Sequence, residues 1–176
     1  MNTIFRIITI TGIAFLGLLS CNEQTIDLDY CKMIAEDQSF VNTDKSDMET
    51  FNADKASRKK LIEKNFDLLV QKTRQSGFPM IQDESMESCK SRAVTMTMLH
   101  GAQTLPELFF SEPYVALFKA EMDKGNLERK ILLIASTLTA RTVELCDGQQ
   151  PEIEAALALW ELDVSLFAEA KFMHCD

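Results

Sequence analysis

The sequence predicts an all-α fold, a single compact helical bundle-like domain of about five to seven helices. Three observations carry that expectation. Apolar residues recur three and four apart through most of the chain, the spacing that lays a stripe along one helix face. No alternating run is long enough to read as a strand. The few glycines and prolines, 6 and 4 of 176 residues, fall mostly where the stripes stop.

Residues 26–38 predict a first short helix, with Leu28, Cys31 and Ile34-Ala35 at helical spacing. Residues 39–56 are polar and acidic and read as a loop. They lack Pro and Gly, so part of the stretch is open to helix. Leu61-Ile62, Asn65-Phe66, Leu69-Val70 and Thr73 form the next stripe, closed by Gly77 with Pro79 beyond it. Residues 85–100 predict a third helix, with Met86, Cys89, Ala93, Met96 and His100 along one side.

Thr104-Leu105-Pro106-Glu107 has the spacing of a capping box with Pro in the first turn. Pro113 interrupts the next stretch, so residues 105–110 predict a helical turn and residues 112–124 a second piece closed by Gly125. Asn126 is placed to cap the next helix. Its stripe of Leu127, Ile131, Ile134-Ala135, Leu138, Thr142 and Leu145 ends at Asp147-Gly148. Pro151 opens a last helix expected to run toward Phe172. Ile153, Leu157, Trp160, Val164 and Phe167 form one stripe of it; Leu159, Leu162 and Leu166 form another. A helix so widely apolar is buried on several sides or docks a partner, and a central core helix is the preferred reading.

The start of the chain has a different character. Arg6 precedes an apolar run over residues 7–19, too short to span a bilayer, which takes about 20 residues. A positive start, a short apolar segment and a small residue at the exit describe a secretory signal. Leu18-Leu19-Ser20-Cys21 resembles the bacterial lipobox, whose cysteine is acylated once the chain is cut before it. The expected organisation is a signal peptide over residues 1–20, a lipidated tether over residues 21–27 and an α-helical domain over residues 28–176. Acyl chains on Cys21 would hold the domain on a membrane, since each buried methylene contributes about 0.8 kcal/mol. Asn22 is not the aspartate that favours inner-membrane retention in Gram-negative lipoproteins. The expectation is therefore an outer-membrane lipoprotein of the cell envelope, on the periplasmic face or the cell surface.

Removing residues 1–20 takes away one Arg and no acid, which leaves 156 residues with a net charge of −10. That length supports one domain with a proper core. The acidic balance argues against nucleic acid, which selects basic surface. Four cysteines remain: Cys31, Cys89, Cys146 and Cys175. An even number in an oxidising compartment reads as two disulfides. A zinc site would want a close C-x2-C pair, which none of them forms; free buried thiols are the third reading. An unbroken last helix would be about 30 Å long, whereas disulfide α-carbons lie within about 7 Å. That excludes Cys146–Cys175. It leaves Cys31–Cys175 with Cys89–Cys146, which is preferred, or Cys31–Cys146 with Cys89–Cys175.

Little in the sequence points to catalysis. No G-x-S-x-G elbow, phosphate-binding glycine loop or H-E-x-x-H occurs. Asp44-Lys45-Ser46-Asp47 lacks the alternating oxygens and glycine of a calcium loop. Glu36-Asp37 and Asp83-Glu84 are acidic pairs on an acidic surface. No cofactor and no metal is expected. His100 is either a general base or a partly buried histidine bonded to a neighbouring helix. His174-Cys175-Asp176 reads as a frayed terminus holding a disulfide cysteine.

The order of landmarks is similar to that of a bacterial domain family of unknown function, many of whose members are secreted. Its members show an Asp-Gln pair, a Gly-Trp-Pro turn, a Gln-His-Ala segment and a late Tyr-Gly-Thr-Gln. Here Asp37-Gln38, Gly77-Phe78-Pro79 and Leu99-His100-Gly101-Ala102 stand at the first three, and Cys146-Asp147-Gly148-Gln149-Gln150 replaces the last. The resemblance spans residues 28–145. It implies that Asp37, Gln38 and His100 lie together as a polar site, and it implies no reaction.

The leading expectation is a non-enzymatic binding or interaction module for a protein or small ligand. One alternative is an envelope hydrolase with His100 as base and Asp37 as orienting acid. Another is an immunity-type or stabilising partner that docks through its C-terminal helix. The placement of Asp37 and His100 discriminates between the first two. Hydrogen-bond reach in a solvent-reaching pocket favours the enzyme, and burial of His100 among Met and Leu favours the binding module.

Overall fold

A computed structural model describes residues 26–39, 48–81, 85 and 87–175. The signal segment, Cys21, residues 40–47 of the expected loop, Asp83, Glu84 and Met86 lie outside these residues. Seven α-helices and one small sheet make up the described part, in agreement with the all-α expectation. The helices are α1 (Tyr30–Gln38), α2 (Met48–Ser76), α3 (Cys89–Thr104), α4 (Pro106–Phe109), α5 (Glu112–Asp123), α6 (Arg129–Thr142) and α7 (Gln150–Leu159). No described helix is long and apolar enough to cross a membrane.

Helix α3 is the centre of the packing, with α1, α2 and α6 laid against it. Gly101 permits the closest of these contacts. A Cβ built there would meet Phe66 Cδ2 at 2.7 Å, so only glycine lets α3 approach α2 so nearly. Phe66, Phe109, Phe118 and Trp160 are fully buried and stack at tilted or edge-on angles. The indole N–H of Trp160 donates to the carbonyl of Val115 at 3.1 Å, so the ring is buried without an orphaned donor.

Helix ends follow the expected punctuation at Gly77 (φ +84) and Gly125 (φ +76). The Asn126 N–H reaches the Glu121 carbonyl at 2.9 Å, which closes α5 in a Schellman turn. Two capping expectations are corrected. Thr104 is the last residue of α3 and no capping box precedes Pro106. Glu128, not Asn126, stands at the start of α6, because the Asn126 amide is engaged by Glu121 at 2.8 Å.

Glu121 holds this corner together. It is 1 % exposed, accepts from the Phe78 N–H and Asn126 Nδ2, both at 2.8 Å, and from Lys124 Nζ at 2.7 Å. Burial pushes its carboxyl up, but the bonds from Asn126, Lys124 and Phe78 and the Lys124 charge together leave it below the ordinary glutamate value.

The C-terminal region overturns the expected long helix. Helix α7 stops at Leu159, where Glu161 adopts φ +58 and the Leu162 N–H bonds the Leu157 carbonyl at 2.8 Å. This is the same Schellman closure with glutamate in the left-handed position usually held by glycine. Asp163 then caps a short 3-10 turn by accepting from the Ser165 N–H at 2.9 Å. The chain returns as strand β2 (Lys171–Met173), parallel to β1 (Glu144–Cys146) with Leu145 opposite Phe172. So α6 ends at Thr142 rather than continuing to residue 145.

Because the last helix breaks, Cys146 and Cys175 meet, with α-carbons 5.4 Å apart and sulfurs bonded at 2.03 Å. Cys31 and Cys89 form the other disulfide, with α-carbons 4.9 Å apart. Both connectivities expected from helix length, Cys31–Cys175 with Cys89–Cys146 and Cys31–Cys146 with Cys89–Cys175, are therefore incorrect. Two disulfides is the correct count, and the premise of one rod-like final helix was the error.

Candidate functional site

Helices α1 and α3 leave the Cys31–Cys89 disulfide together. Asp29 caps α1 by accepting from the Lys32 N–H at 2.9 Å. Leu28, Met33 and Ala93 pack between the helices in a small apolar cluster of their own. The two helices meet again through polar side chains. Asp37, in the last turn of α1, approaches His100 on α3 with Oδ1 at 2.8 Å from Nδ1. Gln38 Nε2 donates to the other Asp37 oxygen at 3.2 Å. The structure thus brings Asp37, Gln38 and His100 together.

Asp37 is 6 % exposed. Burial pushes its carboxyl up, yet the hydrogen bond and charge of His100, the Arg58 guanidinium and the Gln38 amide outweigh burial and hold it below the ordinary aspartate value. At neutral pH Asp37 is therefore a carboxylate and only accepts. The ring nitrogen facing it must carry the proton, so His100 holds its hydrogen on Nδ1. Whenever the ring is neutral, Nε2 is the lone-pair nitrogen, and no described residue bonds it.

Met33, Ile34, Ile62, Ala93 and Met96 line the pocket behind the pair. Asn65 shares this pocket, and its buried Oδ1 has no protein partner among the described residues. On its other side His100 lines an open groove of about 660 Å³, within the usual range for small-molecule sites. Lys55, Arg58 and Lys59 of α2 form one wall. Gln103, Thr104, Thr142 and Val143 form the other, where Gln103 Nε2 donates to Thr142 Oγ1 at 2.8 Å. Among the described residues no carboxylate, serine or cysteine lines this groove. A second hollow shares Lys55, Gln103 and Thr142 and runs on toward β1 and β2, where Glu144 and Glu169 stand beside Arg141 and Lys171.

The other singled-out residues lie elsewhere. Cys146 and Cys175 close the C-terminal crossover, and His174 is exposed beside them. Among the described residues no cluster of three or more His, Cys, Asp or Glu is placed to hold a metal. Reading residues 39–56 as a loop takes in only Lys55 of the basic wall; Arg58 and Lys59 lie just beyond it. A signal was present: Lys55, Arg58-Lys59 and Ile62 continue the α2 stripe toward the N-terminus with three- and four-residue steps. His100, Gln103 and Thr104 repeat that spacing on α3.

No protein-family model, curated protein or solved structure matches this chain.

Proposed function

We propose that the domain is a small envelope hydrolase in which His100 acts as general base at the groove. The observation that carries the reading is the 2.8 Å hydrogen bond between Asp37 and His100 beside an open, ligand-sized groove. Asp37 fixes the tautomer and stabilises the imidazolium that forms when Nε2 takes a proton. Water is taken as the nucleophile: no described serine or cysteine lines the groove, and of its two threonines, Thr104 and Thr142, the second already donates to the Leu138 carbonyl at 2.7 Å. Nε2 removes a proton from that water as its oxygen attacks the carbonyl carbon or phosphorus of the ester. The bond from that atom to the leaving oxygen breaks, and the same proton passes from Nε2 to the departing oxygen.

A positioned base supplies about 10²–10⁴-fold in rate. Full-length oxidised protein is assayed against p-nitrophenyl esters of acetate and phosphate. The expected result is turnover that falls at least about 100-fold in His100→Gln. Turnover equal in parent and His100→Gln, or none with either ester, returns the domain to the non-enzymatic binding module. Docking through the C-terminal helix has less support. Helix α7 commits Ile153, Ala156, Leu157 and the following Trp160 to the core. Leu162 and Leu166, from the second stripe, lie beyond its end.

The compartment belongs to the same proposal. The lipobox resemblance makes Cys21 the acylated residue, and the landmarks shared with a family rich in secreted members point the same way. Residues 22–27 would then place the groove within a short tether of an outer-membrane face. Metabolic labelling with a palmitate analogue should mark the parent and not Cys21→Ala; equal labelling and equal membrane association of the two removes the anchor from the account.

A further inference from the structure

We infer that the groove at His100 takes an anionic oxygen group, a carboxylate or a phosphate, held by Arg58 and Lys55 next to the free ring nitrogen. The inference rests on the reading of this groove as the functional site and names its ligand class. The chain as a whole is acidic, with 27 Asp and Glu against 18 Lys and Arg. The adjoining hollow mixes both signs, Glu144 and Glu169 with Arg141 and Lys171. The His100 end instead gathers three cations and, among the described residues, no acid. Charge of one sign lining a concave surface focuses its field and raises the local concentration of the opposite ion.

Two of the three cations have no close partner among the described residues. Lys55 and Arg58 make no hydrogen bond or close ion pair with a described residue, and the buried Arg58 Nε lacks a partner among them. Lys59 has only Glu63 at 4.0 Å, with both side chains about half exposed, a pair too weak to occupy it. Asp37, which feels the Arg58 charge from beyond ion-pair distance, sits behind His100 with both oxygens already accepting. A guanidinium suits a planar or tetrahedral oxyanion because it offers paired donors. Gln103 and Thr142 complete the opposite wall with an amide and a hydroxyl. A group held by Arg58 and Lys55 places its ester or amide linkage at the base rather than deep in the fold.

The test uses the full chain labelled with ¹³C and ¹⁵N at histidine. His100 and His174 are its only histidines, and His174 lies outside the groove, so it is the internal reference. Inorganic phosphate and acetate are titrated separately at fixed pH and fixed ionic strength, with chloride as the control. The expected result is a saturable shift of the His100 signals with at least one oxyanion and none at His174. Arg58→Gln should weaken the apparent affinity at least tenfold. The exposed Lys55→Gln should weaken it about threefold, and it keeps the test valid if Arg58→Gln fails to fold. Response to phosphate alone assigns a phosphoryl group; response to acetate assigns a carboxylate-type oxyanion. No saturable shift, or an affinity unchanged in Lys55→Gln and Arg58→Gln, overturns the inference. The anion-free spectrum separately reports whether His100 carries its proton on Nδ1, so failure of the base reading is distinguishable from failure of this one.

Discussion

Replacing Asp37 with alanine removes the acceptor that orients His100, and the structure sets the cost. The Asp37–His100 bond is charge-assisted and short, and the two side chains are only 9 % and 15 % exposed. Solvent screening is therefore small, and such a bond contributes about 1.5–3 kcal/mol. The Gln38 contact is longer, at 3.2 Å, and joins adjacent residues, so it adds under about 1 kcal/mol. The expected loss for Asp37→Ala is about 3 kcal/mol at pH 7. For a domain of this size that lowers Tm by about 6–12 °C. Asp37→Asn keeps an acceptor oxygen and loses the charge, so it should fall between, at about 1 kcal/mol.

The pH dependence has a definite sign. The folded Asp37 carboxyl sits below its unfolded value of about 3.9. Its contribution is fully present above that value and drains away as pH falls through the lower folded one. Thermal unfolding followed by circular dichroism, with both disulfides intact, should show a gap between parent and Asp37→Ala at pH 7 that narrows as pH falls below about 4. A gap under about 0.5 kcal/mol at pH 7, or one that does not narrow as pH falls below about 4, refutes the argument that ionised Asp37 holds His100.

The other contacts carry outcomes of the same kind. Glu121→Ala strands the buried Phe78 N–H and should cost about 3–5 kcal/mol in urea unfolding at pH 7, with Glu121→Gln costing about 1–2. Since the folded Glu121 carboxyl lies below its ordinary value of about 4.3, that contribution is also lost toward acid. Peptide mapping without reduction should recover Cys31–Cys89 and Cys146–Cys175. Cys175→Ser, which opens a loop with a sequence separation of 29, should cost about 3–4 kcal/mol. Gly101→Ala pushes into Phe66 and should lose about 1–3 kcal/mol; a neutral effect would mean that α2 and α3 are not so close.

Most of the helices were legible because their stripes are long and their ends are marked by residues with one physical reading. Gly77 and Gly125 take left-handed conformations, and Pro106, Pro113 and Pro151 stand in first turns. The C-terminal region was not legible for the opposite reason. Glu161 is a side chain with no left-handed preference, yet tertiary packing of Trp160 and Leu162 turns the chain there. The apolar spacing runs on past the break because the residues of the 3-10 turn also feed the core, as Phe167 does. Strands of three residues are too short to display alternation.

The site divides in the same way. His100 stands out as one of two histidines, but its grouping with Asp37 and Gln38 comes only from the resemblance, since spacing alone places no contact between residues 63 positions apart. Lys55, Arg58 and Lys59 are harder to read because α2 begins at Met48, well before the apolar stripe that starts at Leu61.

The most direct test of Asp37 as the group that sets the His100 base is the protonation of the two ring nitrogens at pH 7, read from ¹⁵N shifts in the full, oxidised chain. In the neutral form of the ring, a proton on Nδ1 and a lone pair on Nε2 are expected in the parent, with loss of that preference in Asp37→Ala. A proton held on Nε2, or a tautomer unchanged when Asp37 is removed, would contradict it.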